Sequence, residues 1–182
     1  MSKTDSLISS NTFHSSIEEA CANDMPGIAW MPGIAFRNHC GTVTVSGNAT
    51  ITNKHAKKNF NFLGLKIDGD FRILGCTFDK LVFADTHITG EFRIEDSKIG
   101  EVVLGDEYYI RNELFLGSRT TWKNSTISIV RVGLMPKPVK VMVEGKVTIG
   151  IASMFCCQRP VLVEPVQGGL IIHGSDPGQF PN

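Results

Sequence analysis

A chain of 182 residues is long enough for one domain with a sizeable core and too short for two large ones. Its 18 Lys+Arg and 18 Asp+Glu balance, so no global field draws the whole chain to nucleic acid or to an anionic membrane. No apolar run approaches the roughly 18 residues of a membrane span, and the opening MSKTDSLISSNTFHSS lacks the apolar core of a secretory signal, so the expected compartment is the cytoplasm.

Residues 1 to about 14 are rich in Ser and Thr and carry too little apolar surface to offset the entropy of ordering them, which predicts a mobile tail. A short helix is expected in HSSIEEACA, where Ser15 with Glu18, or Ser16 with Glu19, has the spacing of a capping box. The hexapeptide written twice in MPGIAWMPGIAF, residues 25–36, puts a turn at each Pro-Gly and a short extended piece at each apolar triplet. That suits a cap over the end of a core better than an aromatic ligand clamp, since nothing polar nearby specifies a ligand. Residues 1–40 are therefore read as tail, short helix and cap, 41–175 as the main domain, and 176–182 as a second tail.

From residue 60 the chain acquires an unusual period. One apolar series reads Phe62, Ile67, Ile73, Phe78, Phe83, Ile88, Ile94, Ile99, Leu104, Tyr109, Leu114, in steps of 5 or 6. Two residues before each of the first nine stands a second series in which bulky members alternate with smaller ones: Phe60, Leu65, Phe71, Cys76, Leu81, Thr86, Phe92, Ser97, Val102. Neither the helical period of about 3.6 nor the strand period of about 2 sustains this pattern. A chain that turns a corner every five or six residues does, because each short side then points two residues inward and four sides close one coil. Stacked coils bury columns of like residues at a spacing of about 4.8 Å. Four steps make a repeat of 21, and residues 21 apart match: Phe62 with Phe83 and Leu104, Ile67 with Ile88 and Tyr109, Ile73 with Ile94, Phe78 with Ile99, Phe71 with Phe92.

Over about residues 60–115 this pattern resembles the pentapeptide-repeat family, in which a large apolar residue centres each five-residue unit and a small one stands two places earlier. The resemblance implies a right-handed four-sided β-helix and a bacterial protein. The fold class expected is all-β, a quadrilateral right-handed β-helix of about five to seven coils with a helical N-terminal cap. Outside the regular block, VTVSGNATI (43–51) and VMVEGKVTI (141–149) share a strand-like alternation around a glycine corner and read as less regular coils. GLMPKPVK (133–140) reads as a loop or register shift, and VLVEPVQGGLIIHGSDPGQFPN as one or two strands and a tail.

The same arithmetic stacks outward residues: Asp70 with Glu91, Arg72 with Arg93, Lys80 with Glu101, Asp85 with Asp106. Opposite charges flank the like-charge columns, so a self-neutralising surface lattice is the simplest reading. Asp70, Arg72, Asp85, Glu91, Arg93 and Asp106 are the candidate recognition surface. Between 60 and 110 there are ten Asp or Glu against five Lys or Arg, an excess that raises a second possibility. Ordered negative charge on a rod imitates a duplex backbone, and some pentapeptide-repeat proteins act this way on bacterial topoisomerase.

Catalysis is not expected. Stacked acids such as Asp85 and Asp106 would need a sugar cleft lined with aromatics, and the chain has two Trp and two Tyr. The five Cys and five His lack the spacing of a zinc site, and no phosphate-binding or nucleophile motif is present. Reduced thiols, Cys156 and Cys157 included, are the simplest reading. The basic NKHAKKNF (53–60) is expected to be a solvated corner. The function expected is a non-enzymatic binding or scaffolding module without cofactor or metal, whose partner is another protein or a second copy of itself. The alternatives are the acidic mimic and a secreted bacterial effector with an export address in its Ser/Thr-rich start.

Overall fold

The computed structural model describes residues 6–22, 27–29, 42–105, 114–133, 137–154 and 163–174. The chain opens with β1 (Ser6–Ser9), α1 (Ser10–Ala22) and β2 (Gly27–Ala29). It then makes repeated passes: β3 (Val43–Ser46), β4 (Ala49–Thr52) and β5 (His55–Asn61); β6 (Leu65–Asp68), β7 (Phe71–Leu74) and β8 (Thr77–Phe83). These are followed by β9 (His87–Ile88), β10 (Glu91–Glu95) and β11 (Lys98–Leu104), and by β12 (Phe115–Leu116), β13 (Arg119–Lys123) and β14 (Thr126–Val132). A last pass holds β15 (Val139–Glu144) and β16 (Thr148–Met154), and β17 (Val163–Val166) and β18 (Gly169–Ile172) close the chain.

The passes feed three sheets in rotation. The first sheet has the order β1-β3-β6-β9-β12, the second β17-β18-β15-β13-β10-β7-β4, and the third β16-β14-β11-β8-β5-β2. Pairing between passes is parallel, and β18 adds antiparallel to β15 with β17 outside it. Among the described residues the protein is thus all-β apart from one short helix, in a repeat-like arrangement of long parallel sheets.

The expected columns are present in the middle of this stack. Phe71 lies beside Phe92, Ile73 beside Ile94, Phe78 beside Ile99, Phe83 beside Leu104 and Ile67 beside Ile88. The passes build three sheets where four sides were expected. In β8 the alternation breaks at Asp79 and Lys80, which both face outward between buried Phe78 and Leu81.

The repeat length is less uniform than its centre. Strands β3 and β6 are paired at a separation of 22 residues, and a bulge between Ala56 and Asn59 restores 21. The following pass keeps 21, but the one from β9 to β12 is 28 residues long, so Ile88 is covered by Leu116 and Ile94 by Trp122. This corrects the uninterrupted series, which stacks Tyr109 on Ile88; Tyr109 lies outside the described residues, and Leu114 only packs against the core margin. The two Val-x-Val-x-Gly segments do flank glycine corners, but different ones: Gly47 joins the first sheet to the second, and Gly145 the second to the third.

Large rings fill the interior. Phe62 stacks on Phe83 at 5.3 Å and Phe71 on Phe92 at 5.6 Å, with edge contacts of 5.4 Å between Phe62 and Phe71 and 5.0 Å between Phe83 and Phe92. Cys76 and Ser97, two small members of the second series, sit at the corner between the second and third sheets. There the Ser97 hydroxyl donates to the Glu95 carbonyl at 2.7 Å and accepts the Cys76 N–H at 3.0 Å. Ser125 repeats the device, donating to the Lys123 carbonyl at 2.7 Å and accepting the Ser97 N–H at 3.2 Å. Just outside it, Asn53, Gly75, Asp96, Asn124 and Gly145 stack in the left-handed region with φ between 47 and 66°. Asn and Asp tolerate that conformation better than other side-chain-bearing residues, which explains their use here.

The N-terminus departs from expectation. Residues 6–9, read as mobile tail, pair with β3 as β1, and α1 begins at Ser10 rather than near Ser15. Ser9 caps it by accepting the Thr12 N–H at 3.1 Å, while Ser16 lies inside the helix and donates to the Thr12 carbonyl. Fully buried Phe13 and Ile17 face the passes, with the Phe13 ring edge-on to Phe71 at 5.9 Å, so the helix is the cap. Of the doubled hexapeptide, Gly27, expected in a turn, forms β2 together with Ile28 and Ala29, parallel to β5, and residues 25–26 and 30–36 lie outside the described residues. The basic segment is not a solvated corner throughout: Lys54 pairs with Glu18 of α1, and Lys58 is buried beside the bulge.

Among the described residues no helix is long and apolar enough to cross a membrane.

Candidate functional site

Among the described residues the strands of the second sheet carry more charged side chains than those of either other sheet. Arg72 and Arg93 stand side by side in neighbouring strands, as their spacing requires. They avoid each other by turning opposite ways along their strands. Arg72 Nη2 reaches Asp70 Oδ2 at 2.8 Å, two residues before it, and Arg93 Nη1 reaches Glu95 Oε2 at 3.4 Å, two residues after. The long pass then brings in partners that lie far off in sequence. Lys123, beside Glu95, pairs with it; Glu144, one strand on, receives Arg119 Nη2 at 3.1 Å and Arg93 Nη2 at 3.5 Å. Glu95 is held below the usual carboxylate range first by the Lys123 hydrogen bond and then by the Lys123 and Arg93 charges, and Lys123 is pushed up by the same contact.

Asp70 has a second task. Its Oδ1 accepts the N–H of Glu91, one pass further on, at 2.9 Å, just as Asn48 Oδ1 accepts the N–H of Asp70 at 2.8 Å. The carboxylate occupies the space where a residue at 90 would carry its Cβ, 2.4 Å from that oxygen, so Gly90 is obligatory at the corner. Asp70 is therefore a corner staple as well as a surface charge. The Glu91 N–H, followed by the Arg72 guanidinium, holds its carboxyl below the ordinary value. A folded-state value lower than the unfolded one stabilises above the unfolded pKa, about 3.9, and the gain is lost as pH falls through the lowered value. Asp70→Asn keeps an acceptor but loses the charge. The expected result is that the urea midpoint of the wild type falls more steeply below about pH 4 than that of Asp70→Asn, with near-parallel curves above about pH 5. Identical acid profiles would show that the staple does not depend on charge.

Of the six candidate residues, Asp70, Arg72, Glu91 and Arg93 share the outer face of this sheet. Asp85 does not join them: it forms the left-handed corner, φ 48°, between β8 and β9, from the third sheet to the first. Asp106 lies outside the described residues. Glu95, Arg119, Lys123 and Glu144 were not singled out in the sequence, and the last three become neighbours of the face only when the 28-residue pass is known. A smaller cluster sits on the third sheet, where Glu101 lies 3.4 Å from Lys80, its expected neighbour, and 2.6 Å from Arg131.

Among the described residues no group of three or more His, Cys, Asp or Glu could hold a metal ion. Cys21 and Cys76 are free thiols whose pKa values burial pushes up, and Cys40, Cys156 and Cys157 lie outside the described residues. Comparison with protein-family models, curated proteins and solved structures finds no match to this chain.

Proposed function

We propose that the chain is a right-handed, four-sided β-helix of the pentapeptide-repeat type that works in the bacterial cytoplasm as a non-enzymatic scaffold, binding a protein partner on the outer face of its second sheet. The observation that carries this reading is the ordered charge lattice there. Three cations and three carboxylates, Arg93, Arg119 and Lys123 with Glu91, Glu95 and Glu144, are set on adjacent parallel strands at fixed register. Strand spacing of about 4.8 Å makes such a face a rigid ruler for a partner of complementary charge order. Each exposed pair adds under about 1 kcal/mol to stability, so the lattice is not needed to hold the fold.

The ion pairs favour this over mimicry of nucleic acid. A mimic needs an unneutralised run of negative charge, whereas Asp70, Glu95, Glu101 and Glu144 each have a cation within 3.5 Å. The test is affinity capture from bacterial lysate with wild-type chain and with Arg72→Glu/Arg119→Glu, two half-exposed positions. One protein enriched by the wild type and lost with the variant supports recognition by this face. Equal capture by both baits would mean that the lattice is only a solvated surface.

A further inference from the structure

We infer that the chain self-associates as a two-fold dimer in which the β16 strands of two copies pair antiparallel, edge to edge. This rests on the scaffold reading and adds to it a second copy as partner, at a place distinct from the charged face.

The two ends of the stack are finished differently. At the N-terminal end α1 seals the interior with Phe13 and Ile17, both 0% exposed. At the other end the second sheet continues into β18 and β17, but the third sheet stops at β16 among the described residues. The core is half-open there: Ile149 and Ala152 stack on Ile127 and Val130, which are buried, yet are themselves only partly buried. Outside, Ile151 is 60% exposed next to Ile129. Edge strands are ordinarily guarded by charge, proline or a covering segment. Thr148-Ile-Gly-Ile-Ala-Ser153 has no charge and no proline.

The order of facing selects the partner. Ile149 and Ala152 point inward; Thr148 and Ser153 continue the outward columns of Thr126 and Arg131, and Gly150 and Ile151 are both exposed. The sequence out-in-out-out-in-out reads the same in both directions about the Gly150–Ile151 bond. An antiparallel neighbour is read backwards. A second β16 with its Gly150 opposite Ile151, Ile149 opposite Ala152 and Thr148 opposite Ser153 therefore keeps every inward residue opposite an inward one. A regularly alternating strand falls out of phase at the doubled outward pair and turns its apolar residues to solvent. The two-fold axis stands perpendicular to the shared sheet, so the interiors of the two copies continue into one another.

The experiment has two arms. Sedimentation equilibrium of the full chain should show a dimer, and Ile151→Lys, placed on an already exposed side chain, should raise its dissociation constant about tenfold or more while circular dichroism is unchanged. Thr148→Cys and Ser153→Cys chains, mixed in oxidised glutathione, should form an intermolecular disulfide, two thiols giving up two hydrogens to the glutathione, that neither variant forms alone above the wild-type background. A wild type that stays monomeric at every concentration overturns the inference, as does a dimer indifferent to Ile151→Lys or one without the mixed cross-link. A monomer that still captures a protein through Arg72 and Arg119 would defeat self-association and leave the scaffold reading standing. A β16-linked dimer without face-dependent capture would do the reverse.

Discussion

Replacing Ile94 by Asp should leave a chain that does not fold. Ile94 is fully buried at the centre of β10, between Ile73 on one side and Trp122 on the other. A carboxylate there has no cation or donor within its column and is enclosed by stacked apolar residues. Even after its pKa rises and it takes up a proton, the uncompensated polar group costs several kcal/mol, against a total stability of about 5–15 kcal/mol for a domain. In a stack of passes the damage spreads, because each pass is held only by its neighbours. The next residue back supplies the control. Arg93 points outward from the same strand, and Arg93→Ala should cost under about 1 kcal/mol. Far-UV circular dichroism and urea unfolding of the two variants check the pair. A soluble, cooperatively folded Ile94→Asp would mean that the inward register of the whole block is misassigned.

That register was legible in the sequence because burial in a stacked coil acts on every pass alike. Phe71 and Phe92, or Ile73 and Ile94, occupy one environment repeated, and one environment selects one kind of residue. The small inward positions were visible as a series too, although only the structure supplies their reason, which is a hydroxyl ladder that satisfies backbone groups where the chain turns. What escaped was whatever depends on counting across an irregularity. Seven further residues in the pass that leads to β12 move Leu116 into the place of Tyr109, and set Arg119 beside Glu91 and Lys123 beside Glu95. No local pattern announces such an insertion, since both sides of it obey the same rule. The N-terminal strand was hidden for another reason. SLIS is too short and polar to bury itself, and it is ordered by the edge of β3, which a composition argument does not see. Asp70 shows the limit for the candidate site: its surface charge was readable, its role as acceptor for Glu91 was not, because that depends on the corner geometry.

Corners are also where the second large effect is expected. Gly47 and Gly117 both have positive φ, 85° and 78°, and both follow strands of the first sheet. Their surroundings differ. A methyl group built on Gly47 meets nothing within 4 Å, whereas one on Gly117 falls 2.2 Å from the Gly90 carbonyl oxygen and 3.3 Å from the Phe92 nitrogen. Gly47→Ala should therefore pay only for the left-handed conformation, about 1–2 kcal/mol. Gly117→Ala adds a clash with main chain that cannot swing aside. The Gly90 carbonyl also accepts the Ser118 N–H at 2.9 Å, so relieving the clash breaks the contact that sets one pass upon the next. An expected loss of about 3–5 kcal/mol follows from strain and lost pairing together. Urea unfolding of the two alanine variants measures the difference directly. Equal losses would mean that the passes are not in contact at this corner, and that the fold is held by its interior columns alone.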